Sequence, residues 1–207
     1  VSNPSNQDNE NYAGLLRYCI KHNHWSVFEQ SHMTLEIETN RGIAAQILRH
    51  RSFTFQEFSQ RYADTNLITE NIPVPDLRRQ DTKNRQTSLD ETFNPVIEFE
   101  PSLKVDSSSA IKNHTADAVI LYNKMIDQGV AREQARMVLP QNIYTTYWAT
   151  GSLHNWVNSF IAKRDHEDAQ WEIKLLAREI SRQIQSIWPK SHENFVKHGK
   201  IPAVQEG

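Results

Sequence analysis

The sequence predicts a mixed fold of helices and strands in one domain, and three stretches carry that expectation. Met33, Leu35 and Ile37 alternate with Thr34, Glu36 and Glu38, the period of a half-buried strand. Residues 142–150 are rich in Tyr, Thr and Trp, which suit a pleated surface. Ile173, Leu176, Ile180, Ile184 and Ile187 fall on one helical stripe. At 207 residues the chain is long enough to bury a core.

Composition narrows the functions open to it. The formal charge is −2 and the isoelectric point lies near 6.5, so no global basic field awaits a nucleic-acid polymer. Phosphate recognition must be local, which suits a mononucleotide. Hydrophobic residues make up 38% and mean hydropathy is −0.67, low enough that partner subunits could complete the apolar surface. One cysteine excludes an internal disulfide and fits a reducing compartment. No apolar run reaches membrane-spanning length and the start Val1-Ser2-Asn3-Pro4 is no signal peptide, so a soluble, cytoplasmic protein is expected.

In chain order, residues 1–10 are polar and expected to fray. Tyr12, Leu15, Leu16, Cys19 and Ile20 give an amphipathic helix with Cys19 on its apolar stripe, a small buried hydrophobe rather than a nucleophile. His22, His24 and His32 lack the spacing of metal ligands, so no metal is expected. After the Met33 strand, Thr39-Asn40-Arg41-Gly42 turns into a helix with Ile43, Ile47 and Leu48, which is expected to run into Arg49-His50-Arg51. Residues 63–95 hold Pro73, Pro75, Pro95 and many charges, and read as a long polar loop or lid. Val96–Phe99 has weak strand character. A helix from Ser107 to Gln128 shows Ile111, Ala118, Leu121, Tyr122 and Met125 on one face before Gly129. Ala131, Ala135 and Val138 mark a second helix that stops at Pro140, and Gly151-Ser152-Leu153 opens another. The final helix runs from about Asp165 to Pro189.

The richest stretch is Arg49-His50-Arg51-Ser52-Phe53-Thr54-Phe55-Gln56-Glu57-Phe58-Ser59-Gln60-Arg61-Tyr62. Cations at a helix C-terminus complement its dipole, and on a helix Arg49 and Arg51 would point to nearly opposite sides. Beyond them Glu57, Ser59 and Arg61 share one side of an extended chain. A carboxylate, a hydroxyl and a guanidinium fork facing one way suit a phosphate and a sugar. No histidine–carboxylate pair stands beside Ser59 in the sequence, so binding is expected of it rather than nucleophilic attack. The residue chemistry alone reaches an anion or nucleotide site.

Arg49-His50-Arg51, seven residues and then Ser59 resembles the signature of the flavin-dependent thymidylate synthases, and Glu57, Arg61 and Tyr62 fall where that family has them. The likeness extends from about His24 to Ile173. It includes the His24-x-Ser26-x-Phe28-Glu29 stretch, Gln46, Ala135-Arg136-Met137-Val138-Leu139-Pro140, Ser152-Leu153-x-Asn155, and Arg164-x4-Ala169-Gln170-Trp171-Glu172-Ile173. There are departures: some members carry Asn and Arg as flavin contacts where this chain has Ala149 and Gly151, and the interval from Asn155 to Arg164 is longer than in some relatives.

The resemblance implies an α+β fold, an antiparallel-rich sheet surrounded by helices, assembled as a homotetramer whose sites are shared between subunits. It implies reductive methylation of dUMP to dTMP, with FAD as cofactor and NADPH and methylenetetrahydrofolate as co-substrates. By resemblance His24, Ser26, Arg49, His50, Arg51, Glu57 and Asn155 meet the flavin. Gln46, Arg49, Glu57, Ser59, Arg61, Arg136 and Arg164 meet dUMP, with Arg164 the catalytic residue at the uracil ring. The rival expectations are an FAD-dependent NADPH oxidoreductase without methyl transfer and a non-catalytic nucleotide-binding module.

Overall fold

The computed structural model describes residues 9–62, 66 and 72–204. Helices and small sheets alternate along the chain, an α+β architecture. The chain divides into two compact units, Val1–Met33 with Thr150–Gly207, and Thr34–Ala149. No described helix is long and apolar enough to cross a membrane.

The first unit is built mainly of helices. Helix α1 (Ala13–Lys21) buries Cys19 and Ile20, so Cys19 lies in the core as its stripe predicts. A 3₁₀ turn follows at Trp25–Val27. Near the other end of the chain a π-helix, Asn155–Ile161, buries Trp156, Val157, Phe160 and Ile161, then runs into a single α-turn, α5 (Ala162–Arg164). Helix α6 (Trp171–Ile187) packs on the π-helix and buries Ile173, Ala177, Ile180 and Ile184. The expected stripe holds as far as Ile184, whereas Ile187 is 52% exposed because the chain turns away at Trp188. Helix α6 ends before Pro189, as expected, and a separate helix begins at this proline. Pro189 sits at the first position of α7 (Pro189–Lys197), where a missing N–H costs no hydrogen bond, and α7 packs on α1 and α6.

In the second unit the three-stranded sheet has the order β1-β7-β2, with β1 at His32–Asn40, β2 at Thr54–Glu57 and β7 at Tyr144–Ser152. The boundary between units falls inside β1 and β7. Met33 and Ile37 are buried along β1, as the alternation predicts. Strand β7 extends to Ser152, so Gly151 and Ser152 close a strand instead of opening a helix. Helix α2 (Arg41–Ile47) starts at Asn40, whose Oδ1 accepts from Ile43 N at 2.9 Å.

The expected loop 63–95 lies partly outside the described residues, and within them it is not structureless. Strands β3 (Arg78–Gln80) and β4 (Ser88–Thr92) pair antiparallel. Two arginines of this stretch are committed to that hairpin: Arg78 bonds Asp76 and Asp90, and Arg79 bonds Glu91 while its guanidinium lies 3.9 Å from the Phe93 ring centroid. Strands β5 (Val96–Glu100) and β6 (Leu103–Asp106) form a second antiparallel hairpin. Helix α3 (Ser107–Asp127) is capped by Asp106, whose Oδ1 accepts from Ser109 N at 3.0 Å. It ends against Gly129, with φ of 83°, the left-handed geometry expected there. Thr115, Ala118 and Tyr122 face inward, while Leu121 is 49% exposed. Tyr122 clusters with Ala135 of α4 (Arg132–Ala135) and with Ile143.

Candidate functional site

The candidate residues fall in two groups, one in each unit. In Thr34–Ala149 the start of α2 is pinned by two backbone bonds, Arg41 N to Ile143 O and Gly42 N to Gln141 O, at 3.0 and 3.1 Å. Gln46 sits half-buried in the last turn. The helix stops at Ile47, so Arg49-His50-Arg51 does not continue it. His50 N instead bonds Ile47 O, and Phe53 N bonds His50 O, which folds the tripeptide into a tight turn. His50 is therefore buried, edge-on to Phe53, while Arg49 and Arg51 are exposed. The opposite-facing arginines expected of a helix are replaced by two exposed guanidinium groups flanking a buried imidazole.

Strand β2 then carries Glu57. Its Oε1 accepts from Arg41 Nη1 at 3.2 Å and from Thr145 Oγ1 at 2.9 Å, so three elements meet at one carboxylate oxygen. Phe55, two residues earlier, packs edge-on against Tyr147 of β7. The Tyr147 hydroxyl is buried without a hydrogen-bond partner among the described residues. Burial, then the negative charge of Glu57, push its pKa well above the usual phenol range.

After β2, Phe58 N bonds Thr146 O, and Ser59 Oγ accepts from Arg61 N at 3.4 Å. Arg61 Nη2 pairs with Glu133 Oε2 at 3.6 Å, tying this segment to α4 and to the 3₁₀ turn at Arg136–Val138 that opens with Arg136. The structure thus joins the segment holding Glu57, Ser59 and Arg61 to the turn that holds Arg136. Arg41, Thr145 and Tyr147 were not expected from the sequence. Arg41 and Thr145 reach Glu57 from 16 and 88 positions away, and Tyr147 meets Phe55 from another strand, beyond any local spacing rule.

The second group lies in the other unit. His24 and Ser26 are exposed on either side of Trp25, in and beside the 3₁₀ turn. Trp25 stacks on His154, ring centroids 4.9 Å apart and planes 17° from parallel, which sets this turn beside the residue preceding Asn155. Glu29 Oε2 accepts from Ser152 Oγ at 2.5 Å and Glu29 Oε1 contacts His154 Nδ1. The Ser152 bond, ahead of the His154 contact, holds the Glu29 carboxyl below the usual carboxylate range. Arg164 ends α5, and Asp165 directly after it is held by Arg178 Nε at 3.0 Å. Among the described residues, no three or more His, Cys, Asp or Glu side chains gather as a metal site.

A family model described as thymidylate synthase complementing protein matches residues 1–190, a span that includes every candidate residue. The chain is 46% identical over 173 residues to a probable flavin-dependent thymidylate synthase of Paramecium bursaria Chlorella virus 1, covering 83% of this chain and 75% of that one. It is 44% identical over 182 residues to a flavin-dependent thymidylate synthase of Synechocystis sp., covering 87% and 79%. A flavin-dependent thymidylate synthase of Thermosipho melanesiensis is 31% identical over 189 residues, with 91% and 78% covered.

Proposed function

The chain belongs to the flavin-dependent thymidylate synthases, and from that membership we propose how its residues divide the work. The protein is a flavin-dependent thymidylate synthase. Its reaction is the reductive methylation of dUMP to dTMP, with FAD as the flavin, methylenetetrahydrofolate as carbon donor and NADPH as reductant. The family match over residues 1–190 is what carries the assignment.

The donor set fits a flavin dinucleotide. Exposed Arg49 and Arg51 offer guanidinium forks to phosphate oxygens, and buried His50 fixes the turn between them. His24, Ser26 and Asn155 add imidazole, hydroxyl and amide groups, and Glu57 supplies an acceptor. Bound flavin supplies the hydride chemistry that no side chain can perform.

For dUMP, Arg61 and Arg136 grip the phosphate with Ser59, while Gln46, Arg49 and Glu57 hold the remaining polar edges. Glu57 is prepared for this: Arg41 and Thr145 occupy one oxygen and leave Oε2 for the ligand. Arg164 acts on the uracil ring. Its guanidinium beside N3 and the adjacent carbonyl stabilises negative charge and raises electron density at C5. No protein thiol takes part, and Cys19 is shut in the core. The single-chain domain assembles as a homotetramer with its sites shared between subunits.

The test is dTMP formation by the purified flavoprotein from dUMP, methylenetetrahydrofolate and NADPH, with each component omitted in turn. Product that depends on all of them is the expected result. NADPH oxidation without dUMP-dependent product would mark an oxidoreductase instead, and a colourless protein that takes up no FAD would mark a nucleotide-binding module.

A further inference from the structure

Two stretches more than a hundred positions apart in sequence meet at one carboxylate. Glu29 closes the turn that carries His24 and Ser26, and Ser152 and His154 stand where β7 gives way to the π-helix. Both Glu29 oxygens are engaged, Oε2 by Ser152 Oγ and Oε1 by His154 Nδ1. The Ser152 hydroxyl has a single proton, and it goes to Glu29. Its oxygen is thereby oriented to accept from Asn155 N at 3.2 Å.

Backbone bonds run alongside, Leu153 N to Ser31 O at 2.7 Å and His154 N to Phe28 O at 3.3 Å. They hold the strand end but do not orient the side chains beyond it. Ser152 is 1% exposed, so a lost acceptor there cannot be replaced by bulk water. The carboxyl, held below its usual range, is ionised at neutral pH and makes charge-assisted bonds. Ala149 and Gly151 also offer no side-chain donors before this junction, so more of the grip falls on Asn155 and the 24–26 turn.

We propose that Glu29 is a positioning residue for the flavin, fixing Asn155 and the His24–Ser26 turn as one unit through Ser152 and His154. This rests on the assignment of Asn155 to the flavin. The test measures FAD affinity by flavin fluorescence in wild type, Glu29→Ala, Glu29→Gln, Asn155→Ala and the double variant Glu29→Ala/Asn155→Ala, each checked for folding by circular dichroism. Glu29→Ala weakens FAD binding about tenfold or more, and Glu29→Gln, which keeps an acceptor for Ser152, recovers part of that loss. Because Glu29 acts through Asn155 as well as through the 24–26 turn, the double variant loses less than the sum of the two single losses.

Additive losses, or unchanged binding in Glu29→Ala, overturn the proposal. If Glu29→Ala does not fold, the isosteric Glu29→Gln decides it, and wild-type FAD affinity in that variant counts against the role. Should Asn155→Ala bind FAD as wild type does, the site assignment has failed and the positioning role falls with it. Should Asn155→Ala weaken binding while Glu29→Ala does not, only the positioning role falls.

Discussion

Arg41, the first residue of α2, donates from Nη1 to Glu57 Oε1 on β2 at 3.2 Å. Thr145 of β7 adds its hydroxyl to the same oxygen, so a carboxylate proposed to face the ligands is held from a helix and a strand. The pair is partly exposed, with side chains 38% and 25% accessible, so its contribution to stability is small.

Arg41→Ala should therefore change unfolding free energy by less than about 1 kcal/mol. The loss appears in ligand binding, because Glu57 is freed to swing. We expect the KM for dUMP to rise about fivefold with kcat nearly unchanged, the amount that about 1 kcal/mol of lost orientation gives. Steady-state kinetics beside a urea melt checks both halves, and an unchanged KM would remove Arg41 from the site.

Tyr147→Phe tests an unpaired hydroxyl. The group is buried with no protein partner among the described residues, and deleting such a group relieves its desolvation cost. The variant should match wild type or exceed it by about 1 kcal/mol in chemical denaturation. A loss of that size would reveal a partner for the hydroxyl.

Arg164→Ala should keep bound flavin and native circular dichroism yet lose about a hundredfold in turnover, the usual cost of one electrostatic contact to developing charge. Single-turnover measurement of dTMP formation reads this directly, and near-normal turnover refutes the role. The ion pair from Arg178 to Asp165 steadies the turn just after Arg164, so Arg178→Ala should show a smaller loss of the same kind.

Several groups with lowered pKa give stability a pH dependence, His192 and Glu29 among them. Burial lowers the pKa of His192, whose ring lies 3.0 Å from Ser181 Oγ, below its ordinary value of 6.5. The unfolded chain then takes up the proton first as pH falls. Stability is complete above about 6.5 and erodes below it. Glu29, with its pKa lowered, behaves likewise at more acid pH: its contribution is present above the ordinary carboxylate range and fades as pH drops through it. Thermal melts from pH 8 to about pH 3 should show a first decline that His192→Gln reduces and a later one that Glu29→Gln reduces.

What could be read beforehand follows from how local each cause is. The alternation of β1 and the glycine stop after α3 are short-range signals, and both appear in the structure. The β3–β4 hairpin is held by arginine–carboxylate pairs and β4 is exposed along its length, so it carries no hydrophobic period and reads as loop. The helix end before Pro189 is legible and the new helix that begins there is not, because a proline ends one helix and starts another with equal ease. At the site, the residue types of the 49–61 segment were legible, but the early end of α2 that turns Arg49 and Arg51 outward was not. Glu29 stands in the 24–29 stretch read from the sequence, but its contacts stayed hidden because its partners lie 123 and 125 positions away.

The seven π-helical residues from Asn155 to Ile161 give the chain a place to change its length. Their hydrogen bonds reach one residue further than in an α-helix, so an extra residue is taken up as wider winding while Trp156, Val157, Phe160 and Ile161 stay inside. A one-residue insertion or deletion between Asn155 and Arg164 would then be taken up in the winding of the coil.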